Sequence, residues 1–329
     1  MPVLSLLSKA GALAALLAAT TTALAQGPLC SGRPVTVVVP FAAGGGVDST
    51  ARLVIPKLAD TLKQAMVIEN VAGASGTIGS QRVARSPADG CTLLFAVASP
   101  LNVAPLVAPQ AVRYDTFKDF TPLSTVAVGP FVLVGRNGLP AQNAADLVKL
   151  ARAQPGKLNF GTDGVGTSLH VTAESIKQRA NLEMVHVPYK SGPQVLTDVA
   201  GGQVDLGVLP LTLAQPFIRE GKVRAYGVTS AQRWPGMPDV PALGETPDFK
   251  GIDVESWLGL LGPANLPAPM VAALISGIEA AMKDPEITRK LGDIANKPLA
   301  ISGPKFAEYL ARERKQIQDV VTKANIKTE

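Results

Sequence analysis

The sequence predicts an α/β protein of two domains, each a mainly parallel sheet flanked by helices, with the first domain built from both ends of the chain. Three observations lead there. Short β-branched runs alternate with longer amphipathic ones through much of the chain, the pattern of an α/β layer architecture. The 329 residues, 47% of them hydrophobic, exceed what a single core usually organises. The proline-rich stretch after Thr229, followed by the strand-like run Glu255 to Leu261, then reads as a return to the first domain. The crossings are expected near Ser124 to Val128 and near Gly251 to Trp257. This gives 26–125 as the first part of domain one, 126–252 as domain two and 253–329 as the remainder of domain one.

Residues 1–25 predict a signal peptide: Lys9, the small apolar run Ala10 to Ala19, then Ala23-Leu24-Ala25 in the A-x-A pattern of a cleavage site. The run is too short to span a bilayer, and no later stretch is long enough. An exported, periplasmic chain beginning at Gln26 is therefore expected. It permits oxidation, and the two cysteines, Cys30 and Cys91, sit just before two strands that neighbour each other in a doubly wound sheet. A disulfide between them is the expectation; two unrelated small core residues are the alternative.

Val35 to Val39 is a short β-branched run of the kind buried in a parallel sheet. Asp48-Ser49 predicts the cap of a helix running to about Gln64, with Val54, Leu58 and Leu62 on one face and Pro56 as a point of kinking or shortening. Strands follow at Met66 to Glu69 and Thr92 to Val97, with a short helix ending near Arg85 between them. The middle of the chain repeats the alternation: strands at Phe131 to Val134, Asn159 to Phe160, Met184 to Val187, Leu206 to Val208 and Arg224 to Val228, and helices at Asn143 to Ala153, Thr167 to Arg179 and Pro193 to Ala200. The tail is helical at Pro269 to Met282, Pro285 to Leu291 and Pro304 to Lys323.

Two glycine-rich loops carry the chemistry. Pro40 to Asp48 and Gly161 to Thr167 each follow a strand-like run and open a helix-like one. Such a turn aims unpaired N–H groups and the positive helix end at one point, which suits an anion. Glycines at Gly44, Gly45 and Gly46 permit positive φ and close approach. Asp48 is the awkward member, since a carboxylate repels an anion; it serves as a cap, holds a water or meets an amino or hydroxyl group. In the second loop Thr162, Thr167 and Ser168 add hydroxyls beside Gly164 and Gly166, and Asp163 again departs from an all-donor site. His170 faces the cleft or packs quietly; Ser99 lines the cleft or is a strand-end turn residue. The first glycine turn alone reads better as a plain strand-to-helix connection with no ligand; the hydroxyls of the second strengthen the binding reading.

Other chemistry finds little support. The net charge of +5 is spread thinly, and no basic run is interleaved with aromatics as nucleic-acid binding wants. The first loop lacks G-x-G-x-x-G and G-K-[ST], there is no G-x-S-x-G, and two separated histidines make neither a zinc cluster nor a triad. No cofactor, metal or catalytic residue is expected. A secreted α/β enzyme acting on an ester or phosphorylated substrate is the rival reading.

Taken in order, Arg33-Pro34, Val37 to Asp48, Glu69-Asn70, Gly73 to Gly79, Ala88-Asp89-Gly90, Pro155 to Asn159, Gly166-Thr167 with His170, His186 to Lys190, Gly201 to Asp205 and Ser256-Trp257 resemble the Bug receptors, the extracytoplasmic solute-binding proteins of tripartite tricarboxylate transporters. The likeness covers nearly all of the chain after residue 25. It implies a periplasmic-binding-protein-like, Venus-flytrap fold that closes as a monomer on a small organic carboxylate and delivers it to membrane permease subunits, or reports it to a membrane sensor. It carries over Ala43, Gly44, Gly46, Asp48, Thr162, Gly166 and Thr167 as ligand-binding positions, to which the loop chemistry adds Gly45, Ser99 and His170. One departure is the pair Leu209-Pro210, where family members often place an acid; its absence disfavours amino acids and favours plain or aromatic carboxylates.

Overall fold

The computed structural model describes residues 29–326; the leader expected at 1–25 lies outside them. The described residues form ten strands: β1 (Val35–Val39), β2 (Met66–Asn70), β3 (Thr92–Ala96), β4 (Phe120–Gly135), β5 (Asn159–Thr162), β6 (Val185–Pro188), β7 (Leu206–Pro210), β8 (Arg224–Val228), β9 (Glu255–Pro263) and β10 (Lys297–Pro298). The helices are α1 (Gly46–Leu62), α2 (Thr77–Ala84), α3 (Ala104–Val107), α4 (Ala144–Ala153), α5 (Ser168–Ala180), α6 (Gly192–Ala200), α7 (Leu211–Arg219), α8 (Ala268–Met282), α9 (Pro285–Asp293) and α10 (Pro304–Ala324).

The strands lie in the order β2-β1-β3-β9-β4-β7-β5-β6, with β8 and β10 also paired to β4. β2, β1 and β3 are parallel to one another, as are β6, β5 and β7. Helical crossovers join parallel neighbours because parallel strands cannot be joined by tight hairpins. β4 is the strand the sequence shows only in part. Its 16 residues run antiparallel to β9 from Phe120 to Pro130 and then to β7 and β8 from Phe131 to Gly135. One continuous strand therefore belongs to both sheets and ties the two lobes together.

Each lobe is packed around its own apolar residues. Val37, Ile55, Leu58, Phe95, Leu260 and Leu274 meet in one core, and Phe131, Phe160, Ile176, Tyr226 and Phe249 in another. On the α1 face that the spacing predicts, Val54 and Leu58 are buried and Leu62 is half-buried against the same core, with Ile55 buried beside them. Burying each of Val54, Ile55 and Leu58 stabilises the fold by about 1.5 to 3 kcal/mol. Pro56 is exposed and α1 continues through it to Leu62, so the helix is not shortened. α7 has no counterpart in the sequence reading. It is short, contains Pro216 and directly follows Pro210, so its local signal is that of a turn. A disulfide joins Cys30 to Cys91, whose Cα atoms are 4.6 Å apart. Pairing of β1 with β3, with the Thr36 amide donating to the Cys91 carbonyl, brings the two together.

Candidate functional site

The first glycine loop leaves the C-terminal end of β1 and starts α1. Only Gly44 has positive φ, +78°, whereas Gly45 lies in the extended region as the helix N-cap and offers no side chain to the first turn. Gly46 is needed for close approach: a Cβ there would sit 3.0 Å from Cβ of Pro210 in the other lobe. Asp48 does not cap α1. It lies inside the first turn, 2% exposed, and accepts from the Gly44 amide, from Arg52 Nε and from Asn70 Nδ2, each at 2.9 Å. Burial alone would raise its pKa, but the bonds from Arg52, Gly44 and Asn70 outweigh it and hold the carboxyl below its ordinary value. The carboxylate braces the loop from beneath, and Arg52 neutralises it. The repulsion that the sequence raised is thereby answered. Among the described residues, the amides of Gly46 and Val47 donate to no protein acceptor.

The second loop is arranged differently from expectation. Thr167 caps α5, its Oγ1 accepting from the His170 amide at 3.2 Å and donating to the Gly164 carbonyl at 3.1 Å. Thr162 Oγ1 donates to the same carbonyl and meets His186 Nε2 at 2.7 Å. The Gly166 amide donates to Nδ1 of His170, whose ring stacks on His186 with centroids 3.9 Å apart. Burial depresses both imidazoles, to about 3 for His170, with His186 and Lys177 adding to the effect, and to about 4 for His186, with Lys177 adding. Both rings are therefore neutral near pH 7. Thr162, Thr167, Gly166 and His170 thus form a buried scaffold behind the loop, and what the loop presents outward is Asp163, Gly164 and Val165.

Both loops nevertheless face one cavity of about 500 Å³ between the lobes. Gly45, Gly46 and Val47 line it from one side and Asp163, Gly164 and Val165 from the other. Ala43, Gly44 and Asp48 stand outside its lining, as does Ser99, which clasps the lobes instead: the Ser168 amide donates to Ser99 Oγ at 2.9 Å, and that hydroxyl donates on to Ser168 Oγ. A second interlobe clasp runs from Ser75 Oγ to the Val165 carbonyl, 2.9 Å.

The cavity is the meeting point of four helix N-termini, those of α1, α2, α6 and α7. Their N-caps, Gly45, Gly76, Ser191 and Pro210, all line it, and none makes a side-chain cap hydrogen bond. Each helix start adds roughly half a positive charge and first-turn amides, although the Thr77 amide at the start of α2 is taken by the Ala74 carbonyl and Pro193 removes one from α6. Lys190 is the cationic side chain of the lining and Asp163 the carboxylate. A hollow of about 540 Å³ on another face of the molecule differs in kind: its wall mixes Lys297 and Arg312 with Asp253, Glu255 and Glu313, and neither glycine loop reaches it.

Sequence reasoning missed the Gly73 to Gly76 loop and the Tyr189 to Gly192 segment as walls of this site. A signal was available. They follow β2 and β6 as the two glycine loops follow β1 and β5, and ligands of open parallel sheets bind beyond the carboxyl ends of the strands. Among the described residues no group of three or more potential metal ligands occurs, and no helix is long and apolar enough to cross a membrane.

Residues 50–326 match the family model of the tripartite tricarboxylate transporter family receptor. The chain is 33% identical over 315 residues to a protein of Bordetella bronchiseptica, covering 96% of this chain and 92% of that one. Its fold is similar to that of Rpa4515 from R. palustris, solved with adipate, at 32% identity and a TM-score of 0.85, over 90% of this chain and 98% of that one. It is likewise similar to MatC from Rhodopseudomonas palustris with bound malate, at 32% identity and a TM-score of 0.81, over 88% and 99% of the two chains.

Proposed function

The chain belongs to the tripartite tricarboxylate transporter receptor family, and from that premise we propose that it captures a small organic carboxylate in the cavity between its lobes and hands it to membrane permease subunits. The observation that carries this reading is the convergence of four uncapped helix N-termini on a single cavity. A carboxylate accepting from such amides gains about 1.5 to 3 kcal/mol per bond. The helix ends add typically under 1 each. A few such bonds with burial suffice for micromolar binding, about −8 kcal/mol, after the cost of association. The solutes of the adipate and malate complexes fit the same chemistry.

On this reading the protein is a non-catalytic periplasmic receptor, cleaved near Ala25 and acting as a monomer. Residues 26–125 with 253–329 form one jaw and 126–252 the other. The jaws close by bending of the shared strand β4, and the ligand favours closure only by binding the closed form better. Gly45, Gly46 and the Gly164 turn touch the solute, while Asp48, Thr162, Thr167 and His170 hold those turns in place. The test is a thermal-shift screen of organic acids on the mature protein, because a ligand of the native state alone raises its melting temperature. Gly45→Val, whose Cβ has room on the protein side at 3.4 Å from the Ala42 carbonyl, is expected to keep the fold and lose the shift. Unchanged affinity in calorimetry would remove the first loop from the site.

A further inference from the structure

Asp163 is anomalous in a cavity otherwise built for an anion. It sits at the tip of the second loop, and its Oδ1 is buried without a hydrogen-bond partner. A buried acceptor left unmatched is costly, and a charged one more so. Burial pushes this carboxyl up to about 6, and the Thr167 hydroxyl and the residue's own amide offset that only in part. Near neutral pH it is therefore largely ionised, a carboxylate in the wall of the cavity whose Oδ1 no protein donor meets. Pro210, at the end of the neighbouring strand β7 in the same lobe, also lines the cavity and has neither an acid nor a donor to offer.

We propose that Asp163 is the specificity residue of the cavity, accepting a hydrogen bond from an O–H or N–H group that the solute carries beside its carboxylate. The solute class is thus a hydroxy- or amino-substituted carboxylic acid, not a plain one. This rests on reading the cavity as the carboxylate site. It revises what the missing acid at Leu209-Pro210 implied, since the second loop, after the neighbouring strand, supplies an acceptor of its own. A plain dicarboxylate entering the cavity would bring its own oxygens against Asp163 and leave the carboxylate unmatched. A hydroxyl would satisfy it, and an ammonium would also neutralise it. Sites built to pair a substrate O–H or N–H reject the analogue lacking it far more strongly than apolar pockets reject a missing methylene.

The experiment uses two matched series, succinate with malate and aspartate, and adipate with its 2-hydroxy and 2-amino derivatives, titrated by calorimetry into the mature wild type, Asp163→Asn and Asp163→Leu. In at least one series, the substituted acid is expected to bind the wild type about tenfold or more tighter than the plain one. Asp163→Leu is expected to abolish that ratio. Asp163→Asn keeps a carbonyl acceptor, so it retains a hydroxyl preference and loses an ammonium preference, which separates the two donors. Without ligand, both variants should melt higher than wild type, because each removes an unmatched buried charge. A lower melting temperature for Asp163→Asn would mean that the carboxylate already has a partner, Lys190 foremost, and would overturn the inference. Plain acids binding as tightly as substituted ones would overturn it while leaving the carboxylate site intact. Binding of neither series, with no acid of a broader screen binding either, would bring down both.

Discussion

Replacing Asp48 by alanine tests how the first loop is held. The carboxylate accepts three hydrogen bonds, and their worth differs with what each donor can find instead. Arg52 is 53% exposed on its side chain, so its ion pair is screened and contributes little. Gly44 is exposed, and water can reach its amide once the carboxylate is gone. Asn70 keeps the Phe41 carbonyl as an acceptor at 3.1 Å. The loss is therefore smaller than the roughly 3 to 5 kcal/mol of a broken buried pair and should be about 2 kcal/mol. The loop tip between Gly44 and Val47 is freed at the same time, so solute affinity should fall by about tenfold. Urea denaturation followed by circular dichroism measures the first effect as a lower midpoint at unchanged slope, and calorimetry with a solute found in the screen measures the second. Because the folded pKa of Asp48 lies below its unfolded value of about 3.9, the contribution is present above that pH and lost as pH falls through the folded value. Asp48→Asn, which sets an NH₂ group among the donors, should do no better than alanine. An alanine variant with wild-type midpoint and affinity would show that the brace is idle.

Removing the disulfide with Cys30→Ala and Cys91→Ala frees a loop with a sequence separation of 61 and should cost about 4 kcal/mol in the chain-entropy model; a midpoint within error of wild type would reject that. Stability should decline as pH falls from about 6.5 toward 4, because the unfolded chain takes up protons that the stacked, buried His170 and His186 refuse; His186 alone accounts for on the order of 3 kcal/mol at the acid end. His186→Phe should flatten that limb of the pH–stability curve, and an unaltered limb would assign it to other groups. Thr167→Ala deletes the α5 cap and should lower stability by about 1 kcal/mol, with weaker solute binding because the Gly164 turn loses its support. Gly46→Val, by contrast, drives a side chain against Pro210 in the facing lobe and should impair closure more than stability, seen as weakened binding at a nearly unchanged urea midpoint.

Local chemistry made much of this protein legible from its residues. A β-branched run marked β1, short apolar runs marked β3 and β8, amphipathic spacing marked α1 and α10, and Thr167 was placed correctly at the start of α5, because these signals are complete within a few residues. The pairing of Cys30 with Cys91 was also expected, since β1 and β3 are neighbours in a doubly wound sheet, and the structure pairs both the strands and the cysteines. The same local signals could not say where a side chain finds its partner. Asp48 looks like a cap until Arg52, Asn70 and the Gly44 amide converge on it, and Ser99 looks like a lining residue until the facing Ser168 amide claims its hydroxyl. Thr162 and His170 look like ligand donors until a histidine stack buries them. α7 and the full length of β4 exist because tertiary packing overrides the turn-like propensities of Pro210, Pro216 and Pro130. The sequence by itself determined the strand-to-glycine-to-helix units and hence the supply of inward-facing amides. Only the tertiary structure decided which amides stay unclaimed, because a donor is free or taken according to acceptors that lie far away along the chain.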